Sequence, residues 1–180
     1  EQGFSVSLWA RSSYAFPSDP ALVSNKDWGN GYNQGWVIAA GPNGRWQWNY
    51  ADGNGTRCDY DGPKDQLNDS GWHNIVASHV FGGNVQLFFD GFLVSTKTCI
   101  ANMGSIATGR HTTIGTDPSS YAQWFPGDID KVAIYNEPLS HATVFNLYQA
   151  GQGVSFASPS KAPTPPTDSP TQRPSASPSS

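Results

Sequence analysis

Residues Gly71 to Lys97, GWHNIVASHVFGGNVQLFFDGFLVSTK, leave little room for anything but an antiparallel β-ribbon. Two β-rich runs meet at Gly82-Gly83, and the second continues to a tight turn at Asp90-Gly91. Gly-Gly and Asp-Gly tolerate the positive φ that hairpin turns need. Val85, Leu87 and Phe89 alternate with Asn84, Gln86 and Phe88, so one face of this strand is apolar and the sheet is half-buried. A chain built round such a ribbon must supply a second apolar layer to cover it.

The composition agrees. Only 13% of the 180 residues are charged, whereas there are 19 Gly and 14 Pro, a mixture that favours short strands and many turns over helices. The length suits one domain plus a tail. The net charge is −4 and the ten Lys and Arg are scattered, so no phosphate-binding stripe forms and nucleic acid is not an expected partner. No apolar run approaches the roughly 20 residues that cross a bilayer, so membrane insertion is not expected. Glu1 opens without a charged-then-apolar leader; any export signal is expected outside this chain, which reads as a piece of a longer protein.

Phe4 to Arg11 alternates cleanly, with Phe4, Val6, Leu8 and Ala10 on one face. A Ser/Pro/Asp loop and a short strand, Ala21 to Asn25, lead into SNKDWGNGYNQGW. Here Asp27, Asn30 and Asn33 offer oxygens in a Gly-rich segment. Such residues are what turns are made of, and they are also the ligand type Ca²⁺ takes, six to eight oxygens at about 2.3–2.6 Å. Strands Trp36 to Ala40 and Arg45 to Tyr50 follow, joined by GPNG, and Trp46, Trp48 and Tyr50 share a face suited to a core. Thr112 to Thr116 is a short strand. In DIDKVAIY, strict alternation puts Asp130 on the apolar side with Val132 and Ile134. Trp72, Ile75, Leu87, Phe89, Val132 and Ile134 are the expected core. Ser140 reads as the N-cap of the one credible helix, to Ala150, with Gly151 as its stop.

Cys58 and Cys99 belong to no Cys/His cluster, which leaves a disulfide or two buried thiols. Asn54-Gly55-Thr56 and Asn68-Asp69-Ser70 both fit the N-glycosylation pattern. From Ser155 onward the chain is Ser, Thr and Pro with almost no apolar side chains, the composition of a disordered linker or stalk. Taken together, the tail, the two sequons and the even cysteine count favour the disulfide and a secreted or cell-surface protein. The domains are therefore 1–154, folded, and 155–180, linker.

Several stretches resemble a known family. WHNIVA followed by LFFDG resembles the W-H-x-V-A … L-x-x-D-G hairpin of laminin-G-like jelly rolls, in the concanavalin A-like lectin/glucanase superfamily. FSVSLWAR resembles a strand near the start of those domains, without the short strand that usually precedes it, and FPGDIDKVAIYNEPLS resembles their closing strand. SNKDW through RWQWNYADGNGTRCDYDGP resembles modules appended to secreted enzymes such as metallophosphoesterases. The resemblance implies an all-β, two-sheet antiparallel jelly-roll sandwich with one short C-terminal helix. It makes Cys58 and Cys99 plausible neighbours. It also implies a Ca²⁺ at the sandwich rim, held by Asp27, with Asn30 and Asn33 and with Asp128 across the loops.

The superfamily includes glycosidases, which need two carboxyl groups about 5–5.5 Å or 6.5–9.5 Å apart. The only glutamates are Glu1 and Glu137, and the E-x-D-x-E strand of related glucanases is missing. His73, His79, His111 and His141 have no metal spacing, and no GxSxG appears, so the chain reads as non-catalytic. What remains is a binding module for a polysaccharide or glycoprotein glycan, or an interaction domain positioning other domains of its own chain. Trp28, Tyr32, Tyr60 and Trp124 read as loop aromatics, able either to stack a sugar or to brace the loops, with Arg57, Asp59 and Asp61 as hydroxyl partners.

Overall fold

The computed structural model describes residues 3–16, 18–99, 104–119 and 123–152. Ten strands form two antiparallel five-stranded sheets. In chain order they are β1 (Gly3–Arg11), β2 (Ala21–Ser24), β3 (Gly35–Gly41), β4 (Arg45–Ala51), β5 (Arg57–Asp61), β6 (His73–Val80), β7 (Asn84–Phe89), β8 (Phe92–Thr98), β9 (Thr113–Ile114) and β10 (Asp128–Tyr135), followed by helix α1 (His141–Gln152). The first sheet runs β10-β1-β6-β7-β8 and the second β5-β4-β3-β2-β9. The fold is the jelly-roll sandwich its sequence resembles.

The turns form for the reasons the sequence supplies. Asp90 and Gly91 both have positive φ (51° and 81°), as do Asn43 and Gly44 (62° and 71°) in the β3–β4 connection. Between the sheets, Phe4, Val6 and Leu8 face Trp36, Trp48 and Tyr50, with Ile75, Leu87 and Val85 completing the layer. Phe4 has its ring centroid 6.0 Å from that of Trp48 and 6.4 Å from that of Tyr50, and with Trp46 also buried the aromatic stripe of β4 is core. Cys58 and Cys99 are bonded, tying edge strand β5 to the segment just after edge strand β8.

Outer faces are covered as well. On the first sheet, Val144 and Leu147 of α1 pack on Val76, Phe88 and Leu139. Ser140 caps the helix, its Oγ accepting the Thr143 N–H (3.2 Å). Contrary to expectation, Gly151 does not stop the helix, which runs to Gln152. Gly151 lies so close to Trp9 that a Cβ there would sit 2.3 Å from the indole; the glycine permits close packing. No helix among the described residues is long and apolar enough to cross a membrane.

Four other expectations need correction. Residues 57–61, read as turn-rich, form β5. Asp130 is exposed on the outer face opposite Trp9, because a bulge in β10, with Lys131 at φ 49°, breaks the alternation and turns Ile129 inward instead. Ile134 lies opposite Val6 but is 52% exposed, since β10 is an edge strand. Trp72 is only half-buried, with the Arg11 guanidinium 4.9 Å above its ring. As for the edge beside Phe4, β1 is an inner strand paired with β6 and β10. The tail expected from Ser155 lies outside the described residues.

Candidate binding surface

Alternation along β4 and β5 sends Trp46, Trp48, Tyr50, Cys58 and Tyr60 into the core, and Gln47, Asn49, Arg57, Asp59 and Asp61 to the outer face. Residues 25–34 fold back over this face. Trp28 packs on Ala21, Val37 and Ala39, its indole N–H donating to the Asp19 carbonyl (2.8 Å) and its backbone N–H to Asp117 Oδ2 (3.3 Å).

A polar relay fastens the loop to the sheet. The fully buried Lys26 donates from Nζ to the Gly31 carbonyl (2.9 Å) and to Asn49 Oδ1, and Asn49 donates in turn to Asp59 Oδ1. The other Asp59 oxygen holds Arg57 Nε at 2.6 Å, and the Arg57 guanidinium lies 4.5 Å from the centroid of the Tyr32 ring. Gly31 lets the guanidinium lie close to the loop: a Cβ there would fall 2.7 Å from Arg57 Nη1 and push that side chain aside. Burial pushes the Lys26 ammonium down to about 8, opposed by Asp59. Tyr32 remains 48% exposed above a guanidinium whose position is fixed from below.

Of the residues nominated from sequence, Tyr32, Arg57 and Asp59 are therefore brought together. Tyr60 is not a loop ring: it lies on β5 against Trp46 in the core, 5.1 Å between centroids. Asp61 sits further along β5, 3.8 Å from Arg45. Trp28 braces the loop, and Trp124, 64% exposed, is carried beside Ala21 by a parallel bridge. Lys26 and Asn49 were not nominated. The outward position of Asn49 in WQWNY was a usable signal; a lysine in a Gly-rich loop was none.

The side chains expected to hold Ca²⁺ each make a hydrogen bond within their own loop. Asp27 Oδ1 accepts the Gly29 N–H (3.0 Å), Asn30 Oδ1 accepts the Tyr32 N–H (2.9 Å), and Asn33 donates to the Asp27 carbonyl (3.0 Å). Asp128 is paired with Arg11 Nε at 2.8 Å. Among the described residues no three His, Cys, Asp or Glu side chains gather as a metal group.

Asn54 is exposed at the tip of the β4–β5 turn, between Gly53 and Gly55 at positive φ. Asn68 is partly buried, its carboxamide pressed against Gly44, where a Cβ would lie 2.1 Å from Oδ1.

The fold has counterparts among known proteins. The binding domain of Paraclostridial mosquitocidal protein 1 superposes with a TM-score of 0.69 at 19% identity over 84% of this chain and 38% of that one. The binding domain of botulinum neurotoxin DC does so at 0.62 and 17%, over 83% and 35%, in a structure in complex with SialylT. In a complex with rat synaptotagmin II the same domain gives 0.58 and 17%, over 83% and 36%. The chain thus spans little more than a third of their length, and the likeness is one of fold. No curated protein matches the chain in sequence. Residues 1–145 match the laminin-G family profile described as the concanavalin A-like lectin/glucanases superfamily, and the chain belongs to that family.

Proposed function

We propose that this domain is a non-catalytic, extracellular carbohydrate-binding module, with a polysaccharide or glycoprotein glycan as its partner. The observation that carries the reading is the Tyr32–Arg57–Asp59 arrangement: a half-exposed ring, a guanidinium pinned beneath it and a carboxylate alongside. A pyranose presents an apolar face to such a ring and hydroxyls to such a pair. Pre-organisation matters because side chains already ordered lose little entropy on binding. Asp27, Asn30 and Asn33 each make a hydrogen bond within the loop, so recognition is proposed to need no Ca²⁺.

A glycan array probed with the whole chain, with and without EDTA, tests this. Tyr32→Ala and Arg57→Ala should abolish retention while leaving Tm nearly unchanged. Trp28→Ala, by contrast, should destabilise by about 2 kcal/mol, since it uncovers Ala21, Val37 and Ala39. An array on which nothing is retained would favour a second reading, an interaction domain that positions other domains of its chain. That reading draws on the exposed apolar cluster of Phe92, Leu93, Val94 and Phe145.

A further inference from the structure

The opposite end of β1 from the β6–β7 turn carries a second concave site, on residues that play no part in the surface above. A cleft of about 360 Å³ opens between the end of β1, the segment around Ser70 and the start of β10. That volume lies at the small end of the range for small-molecule sites, roughly 300–1,000 Å³. Its walls are bonded to one another. Ser12 Oγ donates to the Pro126 carbonyl (2.6 Å) and accepts the Tyr14 N–H (3.1 Å), while the Ser12 carbonyl accepts the Ser70 N–H (3.0 Å). Gly127 completes the wall, because a Cβ there would fall 2.3 Å from the Arg11 carbonyl oxygen.

Two features give this cleft a chemistry. Arg11 is held flat, its guanidinium 4.9 Å over the Trp72 ring and its Nε on Asp128 Oδ2 at 2.8 Å. That bond occupies one of five N–H donors and one of two carboxylate oxygens, so donors and an acceptor stand side by side facing solvent. An exposed ion pair of this kind adds little to stability. At the mouth stands Tyr14, 61% exposed although its backbone is fixed by Ser12.

We propose that this cleft binds one neutral pyranose unit. Adjacent hydroxyls of a sugar both donate and accept, which matches Arg11 beside Asp128, and the sugar's apolar face matches the Tyr14 ring. An anion is opposed by Asp128 and a cation by Arg11, so the ligand carries no charge. The site extends the carbohydrate reading but is physically separate from Tyr32, and the two succeed or fail independently.

The test is a titration of the ¹⁵N-labelled whole chain with methyl α-D-mannopyranoside, methyl β-D-glucopyranoside, methyl β-D-galactopyranoside and, as the charged comparison, methyl β-D-glucuronide. At least one neutral glycoside should give saturable amide shifts at Ser12, Ser13, Tyr14, Ser70 and Gly127. Tyr14→Ala and Asp128→Asn should each weaken binding by about tenfold or more, the loss of one stacking or hydrogen-bonding partner. Tyr32→Ala should leave these shifts intact, even if it abolishes retention on the array. The same titration with a matching oligosaccharide separates a chain terminus from a free monosaccharide as the source. Because Tyr14 and the ion pair are exposed, the variants keep the wild-type spectrum elsewhere. Absence of saturable shifts with every neutral glycoside, shifts that survive both variants, or tighter binding of the glucuronide would overturn the proposal.

Discussion

Acidification should weaken this fold through one residue, His79. Its ring lies in the core among Phe4, Tyr50 and Phe81, 4.3 Å from the Tyr50 centroid, and neither nitrogen has a hydrogen-bond partner among the described residues. Burial alone pushes it down from 6.5 to about 4. Above pH 6.5 the imidazole is neutral in both states and costs nothing extra. As pH falls through that value the unfolded chain takes up a proton that the folded one refuses. Stability then drops by about 1.4 kcal/mol per pH unit until pH reaches about 4, a total of about 3 kcal/mol. His73 works in the opposite sense. Burial pulls it down, but hydrogen bonds to Asp90 (2.8 Å) and Asp69 (3.0 Å) prevail and raise it, so its stabilisation is complete below 6.5 and is lost as pH rises through the raised value. Denaturant unfolding of wild type and His79→Phe across this range isolates the first effect. His73 and the carboxylates are common to both proteins, and any packing cost of phenylalanine is independent of pH. The stability difference should shift by about 3 kcal/mol in favour of the variant between neutral pH and pH 4. Parallel curves, or an imidazole titrating at or above 6.5 in NMR, would refute the reasoning.

Three further outcomes follow from the placements above. The unreduced, denatured protein should show no free thiol, and reduction should cost about 4 kcal/mol for a loop closed across 41 residues, read from the denaturation midpoint. Melting curves in EDTA and in millimolar Ca²⁺ should coincide, because Asp27, Asn30 and Asn33 are engaged within their own loop; a rise in Tm with Ca²⁺ would show a site these contacts do not form. In a eukaryotic secretory host, peptide mass spectrometry should find glycan at Asn54 and none at Asn68, whose side chain is held against Gly44.

Much of the fold was legible because alternation and turn chemistry are local. FSVSLWAR, the β6–β7–β8 ribbon and the Asn43-Gly44 and Asp90-Gly91 turns follow from side-chain period and from the φ each residue tolerates. β5 was missed although RCDYD alternates, because Gly and Asp crowd both its ends and its pairing with β4 is a tertiary fact. The bulge at Lys131 left no trace in the sequence. A lysine at positive φ is held there by the strands around it, and a shift of one residue sent Asp130 outward while Ile129 took the inner position.

The candidate surface was legible only in fragments, for a related reason. Tyr32, Arg57 and Asp59 were nominated as polar or aromatic loop residues, but what makes them a unit is Lys26 and Asn49, which connect them through the sheet. A charged group buried in this way must be paired, so Lys26 cannot leave the relay without leaving Asn49 and the Gly31 carbonyl unsatisfied. The loop is thus held on one side by a buried cation. On the other side Arg57 is the immediate neighbour of Cys58, whose disulfide fastens β5 to the opposite sheet. Edge strands are where a sandwich is loosest, and here the edge that carries Arg57 and Asp59 is covalently anchored. The covalent tie, the buried lysine and the exposed ring therefore form one mechanical sequence, in which a core bond sets the position of groups that face solvent.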